Sequence, residues 1–555
     1  MGRHRFHLIA LLAAFAMYAL VGAAGAADLQ DSVRRYRATH EAQIVGQLDE
    51  LTRFRSVAAD PTALAATANK LQAWLKDRGF EARLLSEADG PPLVFGFLRA
   101  PGARRTVVFY AHYDGQPVTP SQWKTDPFTP VMRSGPLNSG EHEVNWKADA
   151  TSTFDPQWRL FARSASDDKA SIIAFLAAFD ALKAAGRKLT VNVKVVWEGE
   201  EERGSPHLAA LLRTYHDLLT SDLWLIGDGP VHQSRRPMLY FGARGTLGFQ
   251  LTVYGPLRPL HDGHYGNWVP NPAAMAANLV AQMRDDEGTI LIPGFAADVR
   301  PLSAPELSAI AALPPVESSL REEFAVGRTE GHEGLPASLM RPALNIRGIR
   351  SGQVGSEAAN AIPTEAVVSM DLRLVPDQTP AAVRANIEAF LRAKGWTIVT
   401  AEPDMATRRS NPRLVRLEWE SGYPALRSDM ASPAAKAVIA AAGATQVAGA
   451  PQVAGAPQGA GAPQGAGAPQ GAGATQGAGA TQVAGRASHE PLALLPMMGA
   501  SVPLYLFADT FQVPVIGLPI ANHDNNQHAA NENLRLQNLW DGIQVYSALM
   551  ADLKW

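Results

Sequence analysis

The chain has 555 residues, 46% of them hydrophobic and 19% charged, with a formal net charge of −3. These are the proportions of a globular protein, and so mild an acidity offers no electrostatic footprint for nucleic acid. Cysteine is absent, which excludes disulfides, thiol nucleophiles, Cys-ligated zinc and Cys-held iron–sulfur clusters. Any metal must be held by His, Asp and Glu.

In chain order, Arg3, His4 and Arg5 precede an apolar run from Leu8 to Val21, and Ala24-Gly25-Ala26 supplies a small-residue cleavage pattern. Residues 1–26 therefore read as a secretory signal peptide, which implies a periplasmic or secreted protein with no stable membrane insertion after cleavage. The alternative is an uncleaved anchor helix, because the apolar run approaches spanning length. Helices are expected over Ser32–Phe54 and Pro61–Arg78, and a buried strand over Thr106–Ala111. A helix over Lys169–Ala185 and strands over Thr190–Trp197 and Leu223–Ile226 continue the pattern. This β/α alternation predicts an α/β fold, a mainly parallel sheet flanked by helices.

Each of these strands ends at a polar group: His112 and Asp114, then Glu200-Glu201-Glu202, then Asp228. Parallel sheets bind ligands beyond the carboxyl ends of their strands, so these groups are expected to face one crevice. Asp167 opens the long helix, where helix capping is the competing explanation. His528 follows a last apolar run over Val513–Ile520. Two imidazoles and several carboxylates without thiolates suit zinc, manganese or cobalt.

From Phe249 the pattern changes to strands over Phe249–Tyr254, Ala343–Ile349, Ala366–Leu374 and Trp396–Thr400, with helices over Pro272–Arg284 and Pro380–Lys394. This β-α-β-β-α-β order predicts a smaller α+β domain, residues 248–404, inserted between the two parts of the main domain, 27–247 and 405–555. A further helix is expected over Ser432–Ala442. Gly443–Ala484 is seven tandem hexapeptides of the form GA(P/T)Q(V/G)A, which can bury no core and read as a disordered surface insertion.

Nine stretches in order carry a resemblance: AHYDGQPV (111–118), SASDDKA (164–170), EGEEERGS (198–205), GDGP (227–230), FGARG (241–245), LHDGHYGNWVPNP (260–272), NAIP (360–363), DLRLVP (371–376) and HAANE (528–532). The chain resembles the dinuclear zinc metallopeptidases that include carnosinase-like dipeptidases, glutamate carboxypeptidases, aminoacylases and succinyl-diaminopimelate desuccinylase, and the dipeptidase branch most. The resemblance implies a catalytic domain of the zinc-peptidase type holding two divalent ions, Zn2+ with Mn2+ or Co2+ as alternatives. Asp167 would bridge them, with His112 and Asp228 on one ion and Glu202 and His528 on the other. Glu201 would be the general base, Glu200 being the alternative if the register shifts by one, and Asp114 would hold the His112 ring. The Asp167–Asp168 peptide would be cis. The inserted domain would be a lid through which the chain forms a homodimer, His261 serving the second subunit's site. Arg373, Asn360 and Ser501 would bind substrate; a lid salt bridge for Arg373 and an ordinary turn for Ser501 are the structural alternatives. Ala162-Arg163-Ser164 replaces the usual Gly-Arg-Gly, and His264 is an additional imidazole beside His261.

The implied reaction is hydrolysis of dipeptides or short peptides with a free C-terminal carboxylate, by a metal-activated water with Glu201 as base. An N-acyl-amino-acid amidohydrolase on the same site is the alternative within this class. A non-catalytic periplasmic solute-binding protein is the alternative outside it, and it would need no acid cluster at a strand end.

Overall fold

The computed structural model describes residues 2–148, 154–447 and 491–555. Its main sheet has eight strands, in the order Glu81–Leu85, Leu93–Leu98, Asn192–Glu198, Thr106–His112, Leu223–Ile226, Val515–Gly517, Met238–Tyr240 and Ala493–Leu495. The four from Asn192–Glu198 to Val515–Gly517 run parallel. The expectation of a mainly parallel sheet thus holds at its centre, while Leu93–Leu98 joins this group antiparallel on one side and Met238–Tyr240 on the other. Central strands are covered on both faces: Val107, Phe109 and Ala111 enter one core cluster, Val108 and Tyr110 the other. Alternate residues point to opposite faces, which is why the run reads as continuously apolar.

The first cluster lies under the helices Lys169–Ala184 and Leu536–Ala551 and the N-terminal helix. That helix runs from Gly2 to Thr52, with non-helical backbone only at His40. The expected start at Ser32 is therefore not a helix start. Leu29, Val33, Ile44, Val45, Leu48 and Leu51 are buried in the core, so apolar packing carries the helix through this region. No helix among the described residues is long and apolar enough to cross a membrane.

A second sheet of five strands has the order Ala343–Arg350, Glu365–Leu374, Gly245–Tyr254, Leu414–Trp419, Thr397–Val399. Helices Pro272–Met283 and Pro380–Ala393 contribute to its core. Leu414–Trp419, which follows residue 404, also belongs to this sheet: it pairs antiparallel with Gly245–Tyr254, burying Val415 in that sheet's core. The chain leaves this sheet and returns along paired backbone, Gly242–Ala243 beside Leu426–Arg427. A Cβ on Gly242 would sit 1.9 Å from the Leu426 carbonyl oxygen, so only glycine permits the approach.

The helix expected over Ser432–Ala442 spans Pro433–Val447. Apart from its first residues, 443–447, the hexapeptide stretch lies outside the described residues.

Candidate metal centre

Three of the parallel strands end side by side, and the turns after them carry the acids. Tyr113 N donates to the Glu198 carbonyl at 2.7 Å, extending the pairing past His112, and Gly227 N donates to the Tyr110 carbonyl at 2.9 Å. The turn after Glu198 is tight because Gly199 lies against Tyr113, whose hydroxyl would be 2.3 Å from an added Cβ, and because Gly204 takes φ +80°. Glu201 and Glu202 sit on a short 3-10 turn between these glycines.

Ligand atoms of His112, Glu201 and Asp228 all lie within 4.8 Å of one another, and so do those of Asp167, Glu202 and His528. Asp167 stands between the two groups. Its Oδ1 is 3.0 Å from His112 Nε2 and its Oδ2 is 3.2 Å from His528 Nε2. His528 Nε2 also lies 3.3 Å from Glu202 Oε2. Asp167 does not cap the following helix; Asp168 holds the N-cap position, and the Asp167–Asp168 peptide is cis. His528 adopts φ +59°, a conformation uncommon outside glycine, which turns its ring toward Asp167.

Asp114 has two tasks. Its Oδ1 lies 3.3 Å from His112 Nδ1, and its two oxygens accept from the backbone N–H groups of Glu201 and Glu202 at 3.3 and 3.1 Å. One carboxylate thus orients the imidazole and the acid turn together. Glu200 points elsewhere: its carboxylate accepts from His207 N at 2.7 Å and lies 2.9 Å from His207 Nδ1. Of the three adjacent acids, Glu201 and Glu202 face the cluster.

The electrostatics are those of a site short of positive charge. Burial first, then Asp167, pushes Asp228 up to about 7. Burial also raises Glu201 well above the carboxylate range, with Asp228, Glu202 and Asp114 adding to it. Burial would raise Asp167 too, but hydrogen bonds from His112 and His528 hold it well below its ordinary value. Burial disfavours a charged His112, yet Asp114 and Asp167 outweigh it and raise that imidazole strongly. Asp167, then Glu202, pushes His528 up to about 10. Carboxylates crowded without Lys or Arg in either group call for cations, and this N/O donor set fits zinc, manganese or cobalt.

Two residues without an assigned role in the sequence reading support the centre. Glu532 is fully buried and accepts from Ser164 N, Ser166 N and Asp167 N at 2.9, 2.9 and 3.0 Å, and from Arg163 Nη1 at 2.8 Å. It fixes the loop presenting Asp167, in which Ala162 and Ser164 stand where the usual glycines are replaced. Gln116 Nε2 donates to Glu202 Oε2 at 2.7 Å. The signal for Glu532 lay within HAANE, but nothing in a sequence shows that an acid is buried.

Of the substrate-binding candidates, Arg373 and Ser501 meet: Arg373 Nη1 donates to Ser501 Oγ at 2.7 Å, and its Nε to Asp371 Oδ2 at 2.8 Å. The lid salt bridge weighed as an alternative is therefore also present. His261 and Asn360 are not brought to the cluster. They lie together at a two-stranded ribbon, Leu260–His261 with Ala361–Ile362, where Asp262 N donates to the Asn360 carbonyl and the His261 side chain is 58% exposed. Among the described residues His261 makes no contact with the metal ligands of its own chain.

Known proteins are similar to this chain in sequence and in fold. A Cys-Gly metallodipeptidase of Schizosaccharomyces pombe is 29% identical over 321 residues, 56% of this chain and 62% of that protein. A Beta-Ala-His dipeptidase of Homo sapiens is 28% identical over 353 residues, 62% and 64% of the two chains. The chain thus spans under two thirds of the length of either relative. In fold, the crystal structure of an M20 family metallo-carboxypeptidase from Sulfolobus solfataricus matches with a TM-score of 0.67 at 23% identity, covering 91% of this chain and 98% of that one. The pattern of Peptidase family M20/M25/M40 runs through residues 108–552, from the strand that ends at His112 to the C-terminal helix. With both acid groups, the inserted sheet and the returning His528 segment inside that match, the chain belongs to Peptidase family M20/M25/M40.

Proposed function

We propose that this protein is a metal-dependent hydrolase that cleaves the amide bond of dipeptides or short peptides with a free C-terminal carboxylate. The observation that carries this reading is the pair of ligand groups on either side of Asp167. Asp167 would bridge two divalent ions, His112 and Asp228 completing one site and Glu202 and His528 the other. When bound, two such ions polarise a carbonyl and lower the pKa of water.

The chain's own groups do the rest. Glu201, its pKa raised by burial and by its acidic neighbours, takes the proton of the attacking water as the new C–O bond forms. It returns that proton to the amine nitrogen as the C–N bond breaks. Asp114 keeps Glu201 and Glu202 in place through their backbone N–H groups. Arg373 and Ser501 bind the substrate's terminal carboxylate, for which a guanidinium is well shaped.

His261 and Asn360 serve the site of a second copy. The Ala343–Arg350 strand forms an edge of the inserted sheet with Ile346 and Ile349 exposed, and an open apolar edge favours pairing with another chain. The leader, residues 1–26, directs export to the periplasm or beyond, and sequencing of the exported protein would begin at Ala27.

Elemental analysis of the purified protein, paired with hydrolysis of dipeptides and of their N-acetylated analogues, tests the reading. About two ions per chain are expected, with dipeptides turned over; Glu201→Gln abolishes hydrolysis and Glu202→Ala loses metal as well. Turnover of the N-acetylated analogues alone would assign an amidohydrolase. No metal after zinc or manganese reconstitution, with no hydrolysis, would overturn the proposal.

A further inference from the structure

The backbone that leaves and re-enters the inserted domain places an aromatic pair beside the Arg373–Ser501 contact. Thr246 is the cross-strand neighbour of Arg373 on one side and of Tyr423 on the other. Thr246 and Tyr423 exchange both backbone hydrogen bonds, at 3.0 and 3.1 Å. Residues directly opposite in a ladder project from the same face, so Arg373 and Tyr423 face one way, two strand spacings apart, roughly 10 Å. Glycine permits the close pairing: a Cβ on Gly245 would lie 2.4 Å from the Tyr423 carbonyl oxygen, and one on Gly422 would lie 2.5 Å from that of Thr246.

Tyr505 covers Tyr423. The rings stack with centroids 5.8 Å apart and planes at 17°. Tyr505 opens the helix Tyr505–Phe511, four residues after Ser501, so the segment that supplies the hydroxyl to Arg373 also supplies this ring. Both tyrosines are half-buried. Burial raises the Tyr423 phenol, and next in weight are opposing influences of Glu201 and Arg373. The phenol therefore stands within electrostatic reach of the candidate base and of the candidate carboxylate anchor.

We propose that Tyr423 and Tyr505 wall the subsite that receives the side chain of the substrate's C-terminal residue, so that the enzyme selects peptides ending in an aromatic or similarly flat, bulky residue. This rests on the reading of Arg373 and Ser501 as the carboxylate anchor. A flat apolar side chain gains contact area and favourable ring geometry against such a wall, and glycine gains neither.

The metal-reconstituted protein is assayed for kcat/KM on Gly-Phe and Gly-Gly. Calorimetry with N-acetyl-phenylalanine and N-acetylglycine, each protein carrying Glu201→Gln, gives binding without turnover. The wild type is expected to prefer the phenylalanine member of each pair. Tyr505→Ala lowers that preference about tenfold, mainly through KM, and Tyr505→Phe retains it. The same preference in wild type and Tyr505→Ala, or no preference in the wild type, overturns the subsite. If neither dipeptide is hydrolysed, the hydrolase reading fails separately, and the calorimetric ratio still decides the wall. Failure of the Glu201→Gln protein with both tyrosines intact to bind either acid overturns the anchor and the wall together.

Discussion

At the residue scale the centre depends on groups that never touch a ligand. Glu532 neutralises buried Arg163 and takes up three backbone N–H groups of the Asp167 loop. Glu532→Ala would strand that cation and those donors, so the expected cost is about 3–5 kcal/mol, read as a lower unfolding midpoint. Metal affinity should fall as well, roughly 10–100-fold as for other groups that orient ligands, measured by competition with a chelator. Glu198 gives a pH signature. It is buried beneath the acid turn, accepting from the Tyr110 hydroxyl at 2.7 Å, and burial pushes it from 4.5 up to about 7. Between these values the folded state holds the proton more tightly than the unfolded chain, so stability falls as pH rises from about 4.5 to 7 and levels off above. Glu198→Gln keeps an acceptor for Tyr110 and carries no charge. It should remove that slope and be the more stable form at pH 8 by an amount on the order of 3 kcal/mol. Denaturant midpoints across pH 5–8 for both proteins check this, and parallel profiles would refute it.

Among elements, helix and strand identity was legible wherever periodicity was clean. Leu223–Ile226 forms as expected, and Lys169–Ala184 and Pro380–Ala393 differ from expectation by one residue at their ends. The outer strands Glu81–Leu85 and Leu93–Leu98 carried too little pattern to be read, one being half-exposed and the other interrupted by Gly96. The same weakness hid Leu414–Trp419, whose polar residues face solvent beside one edge of the inserted sheet. The N-terminal helix contributes stability from a distance: Leu48 is wholly buried where this helix meets the Lys169–Ala184 and Leu536–Ala551 helices. Leu48→Ala should cost about 2–5 kcal/mol. Its effect should appear in the unfolding midpoint, while kcat/KM of the folded enzyme stays near wild type.

For the whole molecule, the open question is where His261 acts. If each ribbon reaches the other subunit's site, two inactive variants can complement each other. In a mixed dimer of His261→Ala with Glu201→Gln, one site has an intact base and receives an intact His261. Random assortment should then restore about a quarter of wild-type activity, because half the dimers are mixed and each has one working site. Co-expression with two affinity tags, followed by assay of the doubly tagged fraction, checks this: every dimer there is mixed, so about half of wild-type activity is expected. No recovery would return His261 to a structural role in the ribbon.

The sequence by itself determined the chemistry on offer: no thiols, and acids and imidazoles gathered at strand ends and glycine turns, while a bridging Asp167 and Glu201 as base are what the family resemblance implies. Residue type and spacing carry that information because strand ends and glycine turns are local. Tertiary structure alone decided that Glu532 lies under the Asp167 loop, that Asp114 holds two backbone amides 87 and 88 residues away, and that Tyr423 meets Tyr505. Those contacts join segments distant along the chain, and their energy comes from burial and from neighbours in space, which no local pattern encodes.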